Sequence, residues 1–247
     1  MMTSLVRHKS LKKSSGPSRY GGQARYGGSG TQGIRVVVLG QGGVGKTAMT
    51  VRFVTRRFIC DYDPTLEAIY KHNTYIDGEQ VHFEILDTAG QEDPQSPNLE
   101  EKIRWGDAFI IAYCINDQCS FDEIMRFKFL INHTKGSSAH APEVPVMVVG
   151  NKRDLELDRM VKTSEGEKIA TALGCMFIEV SAKESHEEVR TMFEKLYKKC
   201  KACQALKLSP TAIRKVMDKV SMFSSGLGNH SRPLNRLPSF ATDSMEI

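Results

Sequence analysis

Residues 40–47 read Gly-Gln-Gly-Gly-Val-Gly-Lys-Thr and fit the phosphate-binding pattern G-x-x-x-x-G-K-[ST]. The branched apolar run at 34–39 suits a buried strand, and 46–57 has the apolar spacing of a helix. A loop between a strand and a helix can turn its backbone N–H groups around a polyphosphate, and the helix N-terminus favours the same anion. The stretch therefore predicts a nucleotide site.

The candidate phosphate ligands lie in this loop and in the first turn of the helix. We expect the Lys46 ammonium to reach the terminal phosphates and the Thr47 hydroxyl to ligate Mg²⁺. An ordinary glycine-rich turn would not need the Lys-Thr pair in this context. The candidate residues are Gly42, Gly43, Val44, Gly45, Lys46, Thr47 and Ala48.

The rest of the chain up to about residue 200 alternates strands with helices. Alternating stretches at 68–76 and 80–86 flank Asp77-Gly78 and predict an antiparallel hairpin, because Asp-Gly tolerates positive φ values. Predicted strands at 108–115, 144–150 and 176–180 then alternate with predicted helices at 120–134, 163–173 and 186–201. This order predicts an α/β fold with a mostly parallel sheet and helices on both faces.

Ligands of such sheets bind beyond the carboxyl ends of the strands, and polar residues follow the second hairpin strand there. Asp87 is placed to hold Mg²⁺, usually through a water, opposite Thr47. Gly90 offers a backbone N–H to a γ-phosphate, and Gln91 is the candidate catalytic residue that orients the attacking water.

Two further loops predict which base is bound. Asn151-Lys152-Arg153-Asp154 follows the strand at 144–150, and Ser181-Ala182-Lys183 follows the next strand. Guanine presents N1–H and an exocyclic amine as two donors, which the Asp154 carboxylate can accept together. Adenine lacks that pair, so guanine is the predicted base.

With these loops in this order, residues 34–200 resemble a Ras-superfamily small GTPase, a P-loop NTPase. Residues 62–67 (Tyr-Asp-Pro-Thr-Leu-Glu), 91–93 (Gln-Glu-Asp) and 104–106 (Arg-Trp-Gly) are similar to the subfamily of the Ras-related, oestrogen-regulated growth inhibitor. The resemblance implies a six-stranded sheet with one antiparallel edge strand. It also implies that Thr65 ligates Mg²⁺ in the triphosphate state, that Phe58 packs against guanine, and that Ser181, Ala182 and Lys183 complete the base pocket.

The activity expected of such a chain is slow hydrolysis of GTP to GDP and phosphate. Lys46 and the Mg²⁺ cofactor would offset charge on the phosphates while Gln91 aligns the water. No arginine is in an obvious position to assist, so we expect the isolated chain to be slow. Loss of the γ-phosphate would release Thr65 and Gly90, and a partner could read the nucleotide from those loops. The expected partners are GTP or GDP, an exchange factor, a GTPase-activating protein and an effector.

Two features depart from the family pattern. Pro94 and Pro97 stand where relatives begin a helix, so we expect that helix to start late, with Pro97 in its first turn and Ser96 as its cap. Ala68 replaces an acidic residue that effectors of Ras use, so those effectors are not expected here. The prolines beside Gln91 motivate an alternative function, a guanine-nucleotide-stabilised scaffold with little hydrolysis.

The two ends of the chain are basic and differ from the domain between them. Residues 1–33 carry six Lys and Arg and no acidic residue, and residues 200–247 carry seven against three. We expect a disordered Gly/Tyr-rich arm at 1–33, a GTPase domain at 34–203, and an extension at 204–247 with a basic amphipathic helix at 211–223. These ends suit weak contact with an anionic membrane surface or with RNA, whereas no DNA partner is expected.

Targeting signals and cysteines add two expectations. The sequence shows no apolar run of membrane-spanning length, no signal peptide and no cysteine four residues from its end for prenylation. We therefore expect a cytoplasmic protein with at most reversible membrane-surface association. Cys200-x-x-Cys203 could be a metal or redox pair or two unrelated thiols, and reversible acylation is the modification to test.

Overall fold

The computed structural model describes residues 32–59, 67–90, 97–136 and 144–208. The strands are β1 (Gln32–Gly40), β2 (Ala68–Ile76), β3 (Glu79–Asp87), β4 (Ala108–Cys114), β5 (Val146–Asn151) and β6 (Met176–Glu179). The α-helices in these ranges are α1 (Lys46–Thr55), α2 (Pro97–Trp105), α3 (Gln118–Asp122), α4 (Ile124–Lys135), α5 (Thr163–Ala172) and α6 (His186–Leu208). A 3₁₀ helix at Arg153–Asp158 follows β5.

The strands form one six-stranded sheet in the order β2-β3-β1-β4-β5-β6. β2 and β3 run antiparallel, and every other neighbouring pair is parallel. Asp77 and Gly78 join β2 to β3 with φ values of 51° and 81°, as the Asp-Gly turn predicted. The predicted α/β fold with one antiparallel edge strand is confirmed.

The register of the sheet brings the functional loops to one edge. Val38 of β1 pairs with Asp87, the last residue of β3. On the other side of β1, Gly40 pairs with Ala112 of β4, and Cys114 at the end of β4 pairs with Asn151 at the end of β5. The carboxyl ends of β3, β1, β4 and β5 therefore lie side by side in that order, as expected for a ligand site of a parallel sheet.

Residues of β1 alternate between two hydrophobic clusters. Val36 and Val38 belong to a cluster that includes residues of α1 and α6. Val37 and Leu39 belong to a second cluster, which includes residues of α2, α4 and α5. Because β4 and β5 are also buried along their whole length, the sheet is covered on both faces, which explains their continuous apolar sequences.

Several predicted boundaries differ from the observed ones. The prediction of one helix at 120–134 is wrong at its start, because the Asp117 carboxylate accepts from the N–H groups of Cys119 (3.0 Å) and Ser120 (3.4 Å) and so begins α3 at Gln118. A separate helix, α4, then begins at Ile124. The strand predicted from 144 begins at Val146, and the 3₁₀ helix after β5 was not predicted.

Helix α2 covers Pro97–Trp105, and Pro97 is also the first described residue of that range, so the late start of this helix stays a prediction. The predicted cap, Ser96, lies outside the described residues. Helix α6 continues to Leu208, beyond the predicted end at Lys201. Tyr197 and Cys200, which lie within the predicted span, are both buried in the cluster that contains Val36. Of the pair Cys200 and Cys203, Cys200 is buried (3% exposed) and Cys203 is half-buried, so Cys203 is the more accessible of these two thiols.

The chain divides into two compact units, Met1–Leu206 and Lys207–Ile247. The sheet belongs to the first unit, and its strand β1 covers Gln32–Gly40. The helix predicted at 211–223 and the arm before residue 32 lie outside the described residues. No helix in the described ranges is both long and apolar enough to cross a membrane.

Candidate nucleotide-binding site

The loop between β1 and α1 has the backbone geometry of an anion cradle. Gly43 and Gly45 have φ values of 79° and 94°, in the left-handed region that glycine adopts without strain. Gly45 is the N-cap of α1 without a side-chain cap, and the first turn of the helix carries no acidic residue. The positive end of the helix dipole therefore faces this loop with no carboxylate of that turn to offset it.

Lys46 lies folded against this loop. Its ammonium donates to the carbonyl oxygens of Gly40 (3.0 Å) and Gln41 (2.9 Å), and the residue is 6% exposed. These contacts hold a positive charge at the loop before any ligand arrives. A preorganised charge of this kind favours a polyphosphate, because little reorganisation is needed on binding.

The loop after β3 touches the same place. A Cβ added to Gly90 would lie 2.4 Å from the Gly42 Cα and 2.9 Å from the Lys46 Nζ. Only a residue without a side chain permits this approach. Gly90 therefore lies directly against the phosphate loop and Lys46.

Asp87 and Thr47 form the oxygen-rich part of the site. The Thr47 hydroxyl donates to Asp87 Oδ2 at 2.6 Å, while Asp87 Oδ1 is buried without a hydrogen-bond partner among the described residues. Burial raises the pKa of Asp87 to about 6, although the Thr47 hydrogen bond and the Lys46 charge oppose this. A carboxylate oxygen beside a hydroxyl is the donor chemistry that Mg²⁺ prefers, so the residues present fit that ion.

A second cluster of predicted residues follows β5 and β6. The Ser181 hydroxyl donates to Asp154 Oδ1 at 2.6 Å, and the Ser181 N–H donates to Glu188 Oε2 at 2.9 Å. Lys152 has a φ of 63°, which turns the chain sharply after β5. Ser181 therefore orients the Asp154 carboxylate, which lies in the loop that was predicted to select the base.

Asn151 connects the two clusters. Its amide nitrogen donates to the Val44 carbonyl at 2.8 Å, and its amide oxygen accepts from the Ala182 N–H at 3.2 Å. The side chain is 2% exposed, so both contacts lie away from competing water. Phe58 is half-buried against the cluster that contains Val36, and Lys183 is exposed. Thr65 and Gln91 lie outside the described residues.

Two residues of this region were missed by the sequence reasoning. Glu188 accepts from Ser181 and also forms an ion pair with Arg153, and its own N–H donates to Ser185 Oγ at 3.1 Å. The S-x-x-E spacing from Ser185 to Glu188 is a helix N-terminus signal that could have found it. The Thr88 hydroxyl donates to the Val38 carbonyl at 2.8 Å and fixes the loop after β3, with no distinctive spacing to predict it.

The fold and the two clusters define an α/β nucleotide-binding protein with a phosphate loop. Comparison with known proteins agrees, since residues 35–202 match the model of the Ras family. The chain is 44% identical over 163 residues to the Ras-related and estrogen-regulated growth inhibitor of Homo sapiens, covering 66% of this chain and 79% of that protein. This chain belongs to the Ras family of small GTPases, and it is therefore a hydrolase.

Two further relatives support the same placement. The GTP-binding protein Rit2 of Mus musculus is 43% identical over 153 residues, covering 62% of this chain and 68% of that protein. The Ras-like protein RAS2 of Hydra vulgaris is 42% identical over 150 residues, covering 61% and 76%. The resemblance inferred from the loop motifs is thus confirmed, and Ras-family GTPases generally use Mg²⁺.

Proposed function

We propose that this chain is a guanine-nucleotide switch that binds GTP and GDP with Mg²⁺ and hydrolyses GTP slowly. The observation that carries the proposal is the Asn151 side chain, which ties the phosphate loop to the loop beside Asp154. A base pocket and a phosphate cradle held at a fixed spacing suit one nucleoside polyphosphate rather than two separate ligands.

At the phosphate end, the proposed chemistry is charge neutralisation and positioning. Lys46 and the backbone N–H groups of 42–48 would bind the β- and γ-phosphates, and Gly90 would donate to the γ-phosphate. Thr47 and Asp87, together with Thr65 in the triphosphate state, would hold Mg²⁺, which when bound neutralises charge on both phosphates. Gln91, which follows Gly90 directly, would orient the attacking water.

At the base end, Asp154 would accept from the two guanine donors, and Ser181 keeps that carboxylate oriented. Ala182, Lys183, Lys152 and Phe58 would complete the pocket. The test is competition for the bound nucleotide: GDP should displace it at least about a thousandfold better than ADP, because adenine leaves the Asp154 carboxylate without its donors. Equal displacement by ADP would contradict this role for Asp154.

The switching step concerns the loops on either side of the phosphates. With the γ-phosphate present, Thr65 and Gly90 would both be held; after hydrolysis both would be released. An effector that binds only the held form would then read the nucleotide, while an exchange factor and a GTPase-activating protein would set how long each form lasts.

Hydrolysis is tested by a single-turnover assay of the purified chain loaded with γ-labelled GTP. We expect slow phosphate release, on the scale of Ras, whose intrinsic rate is on the order of 10⁻⁴ s⁻¹. Gln91→Leu should slow release clearly, since a leucine cannot orient water. No phosphate release over many hours, even with an activating partner, would remove the enzymatic part of the proposal.

A second candidate function is a nucleotide-stabilised scaffold, which Pro94 and Pro97 near Gln91 favour. The same assay separates the two candidates. Equal rates for the wild type and Gln91→Leu, together with tight GDP binding, would support the scaffold. A slower variant would count against it.

A further inference from the structure

A cleft of about 240 Å³ opens between the end of α1, strand β2 and the start of α6. Four basic side chains line it: Arg56, His72, His186 and Arg190. Phe53, Thr74 and Tyr75 complete the lining, which contains no Asp or Glu as far as the chain is described. None of these residues belongs to the candidate nucleotide site.

The charges around the cleft are incompletely balanced. Arg190 pairs with Glu194 (2.8 Å) and lies 3.9 Å from Glu187, which is also 3.2 Å from His186. Both carboxylates come from α6. Arg56, on the opposite side, has no carboxylate within ion-pair distance in the part of the chain that the structure describes. A positive charge is therefore left on the α1 side of the cleft.

His72 lies in this positive environment, which affects its pKa. Its ring lies 4.9 Å from the Phe53 ring in an edge-on contact. Burial, and then the charges of Arg56 and His186, lower the pKa of His72. On β3 the residue opposite His72 is the apolar Phe83, which supplies no counter-charge. The other ionisable groups that line the cleft are Arg56 at the end of α1, Tyr75 on β2, and His186 and Arg190 on α6. Glu187 lies beside His186, 3.2 Å away.

We infer that this cleft is a second anion site, which binds a phosphoryl group in the form of inorganic phosphate or a small phosphomonoester. Guanidinium groups approach from α1 and α6, and imidazoles from β2 and α6, so donors surround the space on several sides. Such an arrangement suits a tetrahedral dianion with three or four oxygens better than a planar carboxylate with two. The Thr74 hydroxyl adds a neutral donor, and the volume admits a phosphoryl group with a few further atoms.

The test uses the full-length protein loaded with GDP and Mg²⁺, so that added phosphate cannot occupy the phosphate loop. The imidazole resonances of His72 and His186 are followed by NMR during titration with inorganic phosphate, and separately with phenyl phosphate, at constant ionic strength set with chloride. We expect both resonances to shift with saturation, binding to tighten from pH 8 to pH 6, and the apparent pKa of His72 to rise when the anion is bound.

Two neighbouring arginines provide a matched comparison. Arg56 lines the cleft, whereas Arg57 is exposed and does not line it. Arg56→Gln should weaken phosphate binding about tenfold, in keeping with loss of a charged hydrogen bond, and Arg57→Gln should leave it unchanged. Arg190→Gln provides a second lining variant if Arg56→Gln fails to fold. The GDP content of each preparation is measured separately, which keeps a failure of nucleotide binding distinct from a failure of this site.

The titrations with the two phosphate ligands have results that support the site and results that overturn it. Tighter binding of phenyl phosphate would identify an ester as the ligand, and tighter binding of inorganic phosphate would identify the free anion; both support the site. Histidine resonances that do not move up to about 50 mM of either ligand, far above the millimolar affinity expected of a weak site, would overturn it. Equal weakening by Arg56→Gln and Arg57→Gln, or equal binding of acetate, would also overturn it.

Discussion

Asn151 shows how a single side chain can connect two parts of a site. It needs one donor for the Val44 carbonyl and one acceptor for the Ala182 N–H, and an amide supplies both. Aspartate would lack the donor and leucine would lack both groups. The buried Asn151 side chain therefore fixes the distance between the phosphate loop and the loop at 181–183.

Gly43 and Gly45 differ in their surroundings although both have positive φ values, and this difference supports a prediction. A Cβ on Gly45 would lie 2.3 Å from Asn151 Nδ2, whereas a Cβ on Gly43 would meet nothing within 4 Å. Both alanines incur the left-handed backbone cost of about 1 kcal/mol. Only Gly45→Ala must also displace Asn151, which adds about 1–3 kcal/mol for lost buried hydrogen bonds.

We therefore expect Gly45→Ala to lower the free energy of unfolding by about 2 kcal/mol more than Gly43→Ala does. The measurement is denaturant unfolding of both variants and the wild type without nucleotide, so that ligand binding does not contribute. Equal losses for the two alanines would show that Asn151 moves aside at no cost.

Residues of the site could be predicted where a local sequence pattern marks them, whereas contacts between distant residues could not. Lys46, Asp87 and Asp154 follow from short local patterns after apolar strands, because the sheet places such loops at one edge. Their contacts could not be predicted, since Asp154 meets Ser181 across 27 residues. A distance of that kind depends on the strand order β1-β4-β5-β6, which no local pattern specifies.

At the scale of elements, strands were easier to predict than helix ends. β4 and β5 are buried on both faces, so their apolar runs mark them without ambiguity. Helix ends depend on caps and on distant packing. Asp117 begins α3 two residues before the predicted start, and α6 stays helical to Leu208, past the predicted end at Lys201. Sequence periodicity reports neither effect directly.

Glu67 and Lys102 form a contact between two elements that leads to a second prediction. Glu67 precedes β2, and the Lys102 ammonium of α2 makes an ion pair with it while its side chain is 0% exposed. Removing the carboxylate leaves a buried ammonium without that counter-charge. We expect Glu67→Gln to lower the free energy of unfolding by about 3 kcal/mol.

The matched control is Glu100→Gln, which removes an exposed ion pair with Arg104 within α2. That change should cost about 0.3–0.5 kcal/mol. Both are measured by urea unfolding at one fixed GDP concentration. The double variant Glu67→Leu with Lys102→Met should recover most of the loss, because an apolar pair needs no counter-charge. A similar cost for Glu67→Gln and Glu100→Gln would contradict a special role for the buried pair.

At the scale of the whole molecule, helix α1 links the nucleotide site with the basic cleft. Lys46 is its first residue and Arg56 its C-cap, and ten helical residues span about 15 Å. That distance exceeds the Debye length of about 8 Å at physiological ionic strength. Anions at the two ends of α1 should therefore bind almost independently, so the cleft can be titrated without emptying the nucleotide site.

The pH dependence of stability provides the last prediction, and it concerns His72. Its pKa in the folded chain is lowered from the ordinary value of 6.5, so between these two values the unfolded chain binds a proton that the folded chain does not. The free energy of unfolding is therefore unaffected by His72 above pH 6.5. It falls as the pH drops below 6.5, because the unfolded chain is then stabilised by taking up the proton. Asp87, with its pKa raised to about 6, acts in the opposite direction, since its contribution is lost as the pH rises through 6.

Comparison with His72→Gln separates the two effects, because the variant keeps Asp87. We expect the free energy of unfolding of the wild type to fall more steeply than that of His72→Gln from pH 7 to pH 5, measured by denaturant unfolding at constant ionic strength. Adding phosphate should reduce this difference, because an anion in the cleft lets folded His72 accept its proton. Parallel curves for the two proteins would mean that the folded chain protonates His72 as readily as the unfolded chain.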